Sequence, residues 1–241
     1  MTRLSVNVNK IATLRNARGG SVPNVAHAAM RIQQFGAQGI TVHPRPDERH
    51  ITYADVRTLR EVVTTEFNVE GYPSASFLAL VMEARPEQVT LVPDPPGALT
   101  SDHGWDVIQH RDLLKETVQS LQAASMRVSL FTGTEEAQIE AAAAIGADRI
   151  ELYTEPYARD YANGQPEAVV PFARAAAFAH ACGLGVNAGH DLDANNLRHF
   201  AANVPYLEEV SIGHALISEA LYAGLEQTVK TYLACLDAPH A

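Results

Sequence analysis

The sequence predicts an α/β protein, an eight-stranded parallel β/α (TIM) barrel built as a single domain over residues 1–241. Three observations carry this expectation. Eight short apolar runs alternate with helical segments, which implies parallel strands joined by right-handed crossovers. Almost every run stops on a polar or charged residue, so functional groups would collect on the face where barrel strands end. The length, 241 residues with 46% apolar, suits one compact barrel with a large core. A doubly wound open sheet would also alternate. However, no GxGxxG follows the first run, and the candidate groups come from six or more strand ends rather than one switch point.

The runs are LSVNVN (4–9), GITVH (39–43), FNVE (67–70), QVTLVP (88–93), RVSLF (127–131), RIELY (149–153), GVNAGH (185–190) and VSIGH (210–214). They place His43, Glu70, Glu151, His190 and His214 at strand ends, whereas the fifth run ends on Phe131 and reads as barrel packing.

Between the runs lie helices with recognisable punctuation. The first spans 23–35, with Pro23 early and Gly36 past its end. Thr52 and Asp55 resemble a capping box opening a helix that reaches Val63. Helices follow at 77–84 and at 106–124, the latter with Ile108, Leu114, Val118 and Leu121 at helical spacing. Thr134 caps the next, which Gly146 ends, and 166–182 stops at Gly183. A helix at 193–203 and a last one at 215–236, broken near Gly224, complete the series. The segments 93–105 and 154–167 are longer than connections need and follow strands, so they read as candidate lids.

A net charge of −10 argues against non-specific nucleic-acid binding. Its distribution says more. Nine Lys or Arg against three acids make residues 1–60 +6, leaving −16 for the remainder. A basic quarter in an acidic chain suits a small anionic ligand, and Arg18 and Arg45 sit in Gly- and Pro-rich loops just past strands. The chain opens on a strand with no export signal, and no run approaches the roughly 18 apolar residues of a membrane span. Cys182 and Cys235 form no CxxC, so a soluble cytoplasmic protein is expected.

His43, Arg45 and His50 share one tight loop stiffened by Pro44 and Pro46, where a guanidinium fork suits phosphate or carboxylate oxygens. Glu70 and Glu151 at a barrel mouth require either a partner such as Arg149 or Arg18, or work as acid or base. The Gly-His pairs Gly189-His190 and Gly213-His214 follow the last two strands, where barrels commonly bind phosphate. Asp191 would repel such a phosphate unless Lys10 or an arginine compensates. Asn7 and Asn9 on the first strand are poor transition-metal ligands, and the histidines lack ligand spacing, so no metal is expected. A metal-dependent hydrolase and a non-catalytic phosphate-binding barrel stand as alternatives.

The segments NKIATLRNARGG (9–20), GITVHPRPDERHI, FNVEGYPS, LVP, RIELYTEPYA, NAGHDL and SIGHALI, in this order from residue 4 to about 236, resemble the pyridoxine 5′-phosphate synthase family. The resemblance implies a barrel that assembles as a homo-octamer and uses no metal or organic cofactor. It implies condensation of 1-deoxy-D-xylulose 5-phosphate with 3-amino-2-oxopropyl phosphate to pyridoxine 5′-phosphate, phosphate and water. His43 and Glu70 would accept protons, His190 would donate one, and Glu151 would stabilise a transition state. Asn7, Arg18, Asp191, Gly213 and His214 would contact the aminoketone phosphate. Arg45, His50 and Thr100 would contact the deoxyxylulose phosphate. Two departures stand out: Asn9-Lys10 where many members carry Asp-His, and Asp191 where many carry glycine. Their opposite charges would compensate each other.

Overall fold

The computed structural model describes residues 2–94 and 103–237. Its strands are β1 (Arg3–Asn7), β2 (Gly39–Val42), β3 (Glu66–Gly71), β4 (Gln88–Leu91), β5 (Arg127–Thr132), β6 (Arg149–Leu152), β7 (Gly185–Ala188) and β8 (Leu207–Ile212). All pair in parallel, and β1 closes on β8 with Leu4 opposite Val210, so the sheet is a closed barrel and one domain. The helices are α1 (Asn9–Asn16), α2 (Val25–Gln34), α3 (Tyr53–Val62), α4 (Ala75–Ala84), α5 (Arg111–Ala123) and α6 (Glu136–Ala144). After these come α7 (Glu155–Ala162), α8 (Val170–Ala181), α9 (Leu197–Asn203), α10 (His214–Ala223) and α11 (Leu225–Leu236). Among the described residues no helix is long and apolar enough to cross a membrane.

Several boundaries follow from local chemistry. Thr52 and Asp55 form the expected capping box on α3, each side chain bonded to the other's backbone N–H. Gly224, at φ 83°, breaks the last helical segment into α10 and α11 as its sequence position suggested.

Three expectations are corrected. Asn9 and Lys10 open a helix rather than ending the first strand. Segment 154–167 is not an open loop. It holds α7 and a 3₁₀ turn, Pro166–Val169, anchored by the fully buried Tyr157 against Phe172 and Phe200. Strands β2, β6 and β7 end before His43, Tyr153 and His190, so these residues stand just past the ladder, where their side chains clear its hydrogen bonds.

The residues on the two faces of the strands differ in kind. Leu4, Val6, Ile40, Val42, Phe67, Val69, Leu130, Ile150 and Ile212 face the helices and form the main core. The alternate positions face the lumen and are mostly polar, unlike the branched aliphatics that fill most such barrels. Ser5 bonds Thr41 at 2.7 Å, Asn68 donates to Thr41 at 3.3 Å, and Thr90 donates to Asn68 at 3.1 Å. At the N-terminal end, Gln88 on β4 reaches Glu209 on β8 at 3.4 Å, a bond between non-adjacent strands that runs through the lumen.

Glu209 is buried there, and burial, then Glu66, raises its carboxyl to about 7. Its affinity for the proton is higher folded than unfolded. Its stabilising contribution is therefore present below about 4.5 and is lost as pH rises through about 7. Glu209→Gln is expected to be more stable than the parent at pH 8 by roughly 1–3 kcal/mol, with the advantage shrinking toward pH 5. Urea midpoints at the two pH values check this, and a lower midpoint at pH 8 contradicts it.

Candidate active site

The C-terminal ends of the strands enclose a cavity of about 740 Å³. Asn7, Lys10, His43, Arg45, His50, Glu70, Glu151, His190, Asp191, Gly213 and His214 all line it, so almost every group singled out from sequence meets there. Arg18 does not. It is exposed in the turn that follows α1, its N–H bonded to the Arg15 carbonyl. Thr100 lies outside the described residues, as does most of the segment 93–105.

Asn9, Arg15 and Asp94, none of them assigned a site role from sequence, position the expected residues. The Asn7 side-chain oxygen accepts from Asn9 N–H at 3.0 Å, and the Asn9 side-chain oxygen accepts from His43 N–H at 3.0 Å. The two amides thus tie the end of β1 to the end of β2, and Asn7 Nδ2 also reaches Glu70 Oε2 at 3.5 Å. Arg15 of α1 pairs with Asp55 and donates to the His50 carbonyl at 3.1 Å, holding that loop against the mouth. Arg45 is buried with Asp94, 2.7 Å away. Phe131 does pack, as its sequence suggested, but it also forms a wall of the mouth, 5.6 Å from the Tyr153 ring and 6.3 Å from that of His190. Its apolar identity carries no signal of that position.

Electrostatics sort the titratable groups by role. Burial, then Arg45, His50 and Arg49, holds His43 well below its ordinary value, so the imidazole is neutral and able to accept a proton. Its Nδ1 lies 3.9 Å from Glu70 Oε2. Burial raises Glu70 to about 7, with His190 opposing and Asp94 reinforcing the shift, which poises it to exchange protons near neutrality. Burial, then the Glu70 charge, raises Glu151 well above the carboxylate range, and Thr90 reaches it at 3.5 Å. Neither carboxyl pairs with Arg149, which lies at the opposite end of the lumen bonded to Glu208, Gln88 and Asn187. His50 falls to about 4 through burial, then Arg45 and Lys10. Its Nδ1 accepts from Ile51 N–H at 2.9 Å, which leaves the ring proton on Nε2 as a neutral donor for an anion.

The two glycines earn their places by close approach. A Cβ on Gly189 would stand 2.7 Å from the Ser211 carbonyl oxygen and 2.8 Å from Glu151 Oε1. One on Gly213 would stand 3.0 Å from the Asn7 Cβ. Gly213 also precedes α10, whose first residues His214 and Ala215 line the cavity. Asp191 lines the same cavity, and its carboxylate bonds the neighbouring His190 ring rather than Lys10. Among the described residues no three or more His, Cys, Asp or Glu side chains converge as a metal cage requires.

The family described as "Pyridoxal phosphate biosynthesis protein PdxJ" matches residues 4–238 of the chain. A pyridoxine 5′-phosphate synthase from Christiangramia forsetii is 61% identical over 236 residues, covering 98% of this chain and 100% of the relative. One from Parabacteroides distasonis is 57% identical over 237 residues, with the same coverage of both chains. Among solved structures, 3-keto-L-gulonate-6-phosphate decarboxylase from Vibrio cholerae superposes with a TM-score of 0.67 over 98% of this chain and 97% of that one. At 10% identity that likeness concerns the fold alone.

Proposed function

The chain belongs to the PdxJ family of pyridoxal phosphate biosynthesis proteins, and from this premise we infer that its barrel mouth is the active site of a pyridoxine 5′-phosphate synthase. The enzyme condenses 1-deoxy-D-xylulose 5-phosphate with 3-amino-2-oxopropyl phosphate, closes the pyridine ring, and releases phosphate and water. Imine formation, phosphate loss, dehydration and ring closure each need proton transfer, ideally away from bulk water. The observation that carries the reading is the convergence of His43, Glu70 and Glu151 in one cavity, where burial and neighbouring charges shift the proton affinity of each, beside Arg45, His50 and the start of α10.

Each residue takes a role from its surroundings. Neutral His43 accepts a proton, and Glu70 exchanges one near neutral pH. Glu151, protonated, offers a hydrogen bond to developing negative charge, and His190 donates a proton to a leaving oxygen. Arg45 and the Nε2–H of His50 hold the deoxyxylulose phosphate together with Thr100. Asn7, Gly213 and His214 hold the aminoketone phosphate at the start of α10, and Lys10 supplies positive charge to the rim. Arg18, which does not line the mouth, is assigned to the same phosphate by the resemblance alone. These groups suffice for acid–base chemistry without a cofactor. The finer setting, a homo-octamer in the cytoplasm, is proposed from the family resemblance.

Purified protein mixed with both phosphorylated substrates is expected to form pyridoxine 5′-phosphate, followed by its absorbance, and to do so equally in the presence of a chelator. Absence of product from the folded protein would overturn the reading, and a chelator-sensitive rate would favour a metal-dependent enzyme instead.

A further inference from the structure

We infer that Asp191 is a positioning residue for His190: its carboxylate fixes the ring proton on Nδ1 and leaves Nε2 as the nitrogen that exchanges protons in the mouth. The inference rests on the reading of His190 as the proton donor. Its geometric core is the contact of His190 Nδ1 with Asp191 Oδ2 at 2.8 Å. Side chains of adjacent residues ordinarily diverge. These two meet because Asp191 has the left-handed φ of 63°, which folds the chain back on itself.

That backbone is held from both sides. The buried Thr154 hydroxyl bonds the carbonyl oxygens of Gly189 and His190. The Asn196 amide donates to the Asp191 carbonyl at 3.2 Å, while its side-chain oxygen accepts from Asp193 N–H at 2.9 Å. Tyr157 fixes Asn196 in turn, donating its hydroxyl to the Asn196 carbonyl at 2.8 Å. The ring of Tyr153 meets the His190 ring edge-on at 5.3 Å. Aromatic contact therefore sets the plane of the imidazole, and the carboxylate sets which edge points where.

The protonation logic follows from the partners. An ionised carboxylate is acceptor-only, so a bonded Nδ1 must carry the hydrogen. The bond with His190, then the charges of His190 and His214, holds Asp191 below the ordinary carboxylate range, against the effect of partial burial. Among the described residues, the titratable groups around the pair include Glu70 from β3, Glu151 from β6, Tyr153 beyond it, Asp193 after the pair, His214 at the start of α10 and Lys10 on α1. In the acid step the Nε2–H bond breaks, its electron pair stays on nitrogen, and the proton passes to the leaving oxygen of the substrate. The Nδ1–H of His190 stays hydrogen-bonded to Asp191 throughout. In the doubly protonated form that donates, the ring and the carboxylate together are neutral, which lessens the repulsion of a nearby phosphate.

Asp191→Gly tests this cleanly, since glycine adopts a left-handed φ without strain and the clamp to Thr154 and Asn196 involves only backbone at 189–191. In protein labelled with ¹⁵N-histidine, the nitrogen–proton coupling pattern of neutral His190, assigned by its loss in His190→Gln, is expected to show Nδ1–H in the parent and Nε2–H in Asp191→Gly. In parallel, kcat is expected to fall roughly ten- to a hundredfold, part of what general acid catalysis supplies, with KM for either substrate changed less than about threefold. An unchanged tautomer in the variant overturns the inference, as does a lower KM with kcat retained, which would make the carboxylate a mere neighbour of the phosphate. The tautomer is read without turnover, so it tests the pairing even if the parent makes no pyridoxine 5′-phosphate.

Discussion

Glu70→Gln is expected to lower kcat by two to four orders of magnitude while leaving the barrel folded. Glutamine has the same shape, can keep a contact with Asn7, and cannot carry a proton between substrate and enzyme. The pH behaviour supplies the sign. Burial raises Glu70 to about 7, so the ionised base accumulates as pH passes that value, and kcat/KM of the parent should rise through a limb near 7. The variant should lack the limb. Stability moves the other way. A carboxyl whose folded value is raised contributes stability below about 4.5 and loses it as pH climbs through about 7, so the neutral amide should be at least as stable as the parent at pH 8. Activity collapse combined with an unchanged or higher urea midpoint at pH 8 is a pair of results that misfolding cannot produce. Retained kcat would remove Glu70 from the mechanism, and a lower midpoint at pH 8 would contradict the raised carboxyl.

Gly189→Ala is expected to damage both stability and turnover. Its methyl group would meet the Ser211 carbonyl oxygen at 2.7 Å and Glu151 Oε1 at 2.8 Å. The first belongs to the backbone of β8, next to the barrel ladder, and cannot withdraw without disturbing neighbouring bonds. The second is a side-chain tip and can. The clash therefore resolves by pushing Glu151 aside and straining the Gly189–His190 peptide that Thr154 grips. Overpacking of this kind costs about 1–3 kcal/mol. Displacing one acidic group and the donor next to it by about 1 Å can cost on the order of a hundredfold in kcat. Denaturant midpoints and steady-state kinetics measure the two effects. A variant with parental values of both would show that the close approach at 189 is not needed.

Much of the fold was legible because barrel strands announce themselves twice, by apolar runs and by the polar residue that ends most of them. Two elements escaped. α1 starts with no side-chain cap, and the alternation Leu4, Val6, Val8 carries a strand pattern straight into its first turn. α7 contains Pro156 and runs into Asn163-Gly164, which read as loop. What makes it a helix is the burial of Tyr157 among Phe172 and Phe200, contacts that no local pattern reveals. Most of the site was legible for the same reason as the strands, since its reactive groups sit where strands end. Arg18 met the same criterion of loop position yet does not line the cavity, because it sits exposed in the turn after α1.

The amino-acid order by itself determined the β/α alternation, the family, and the chemical types gathered at the barrel mouth. Only the folded chain decided which of those groups face one another. Arg45 meets Asp94, Asn9 meets His43, and Asp191 turns to His190 instead of Lys10. The protonation states were likewise decided in three dimensions. His43, Glu70 and Glu151 are ordinary residues in sequence, and their proton affinities shift because closing the barrel removes water from them and brings charges from distant strands within range.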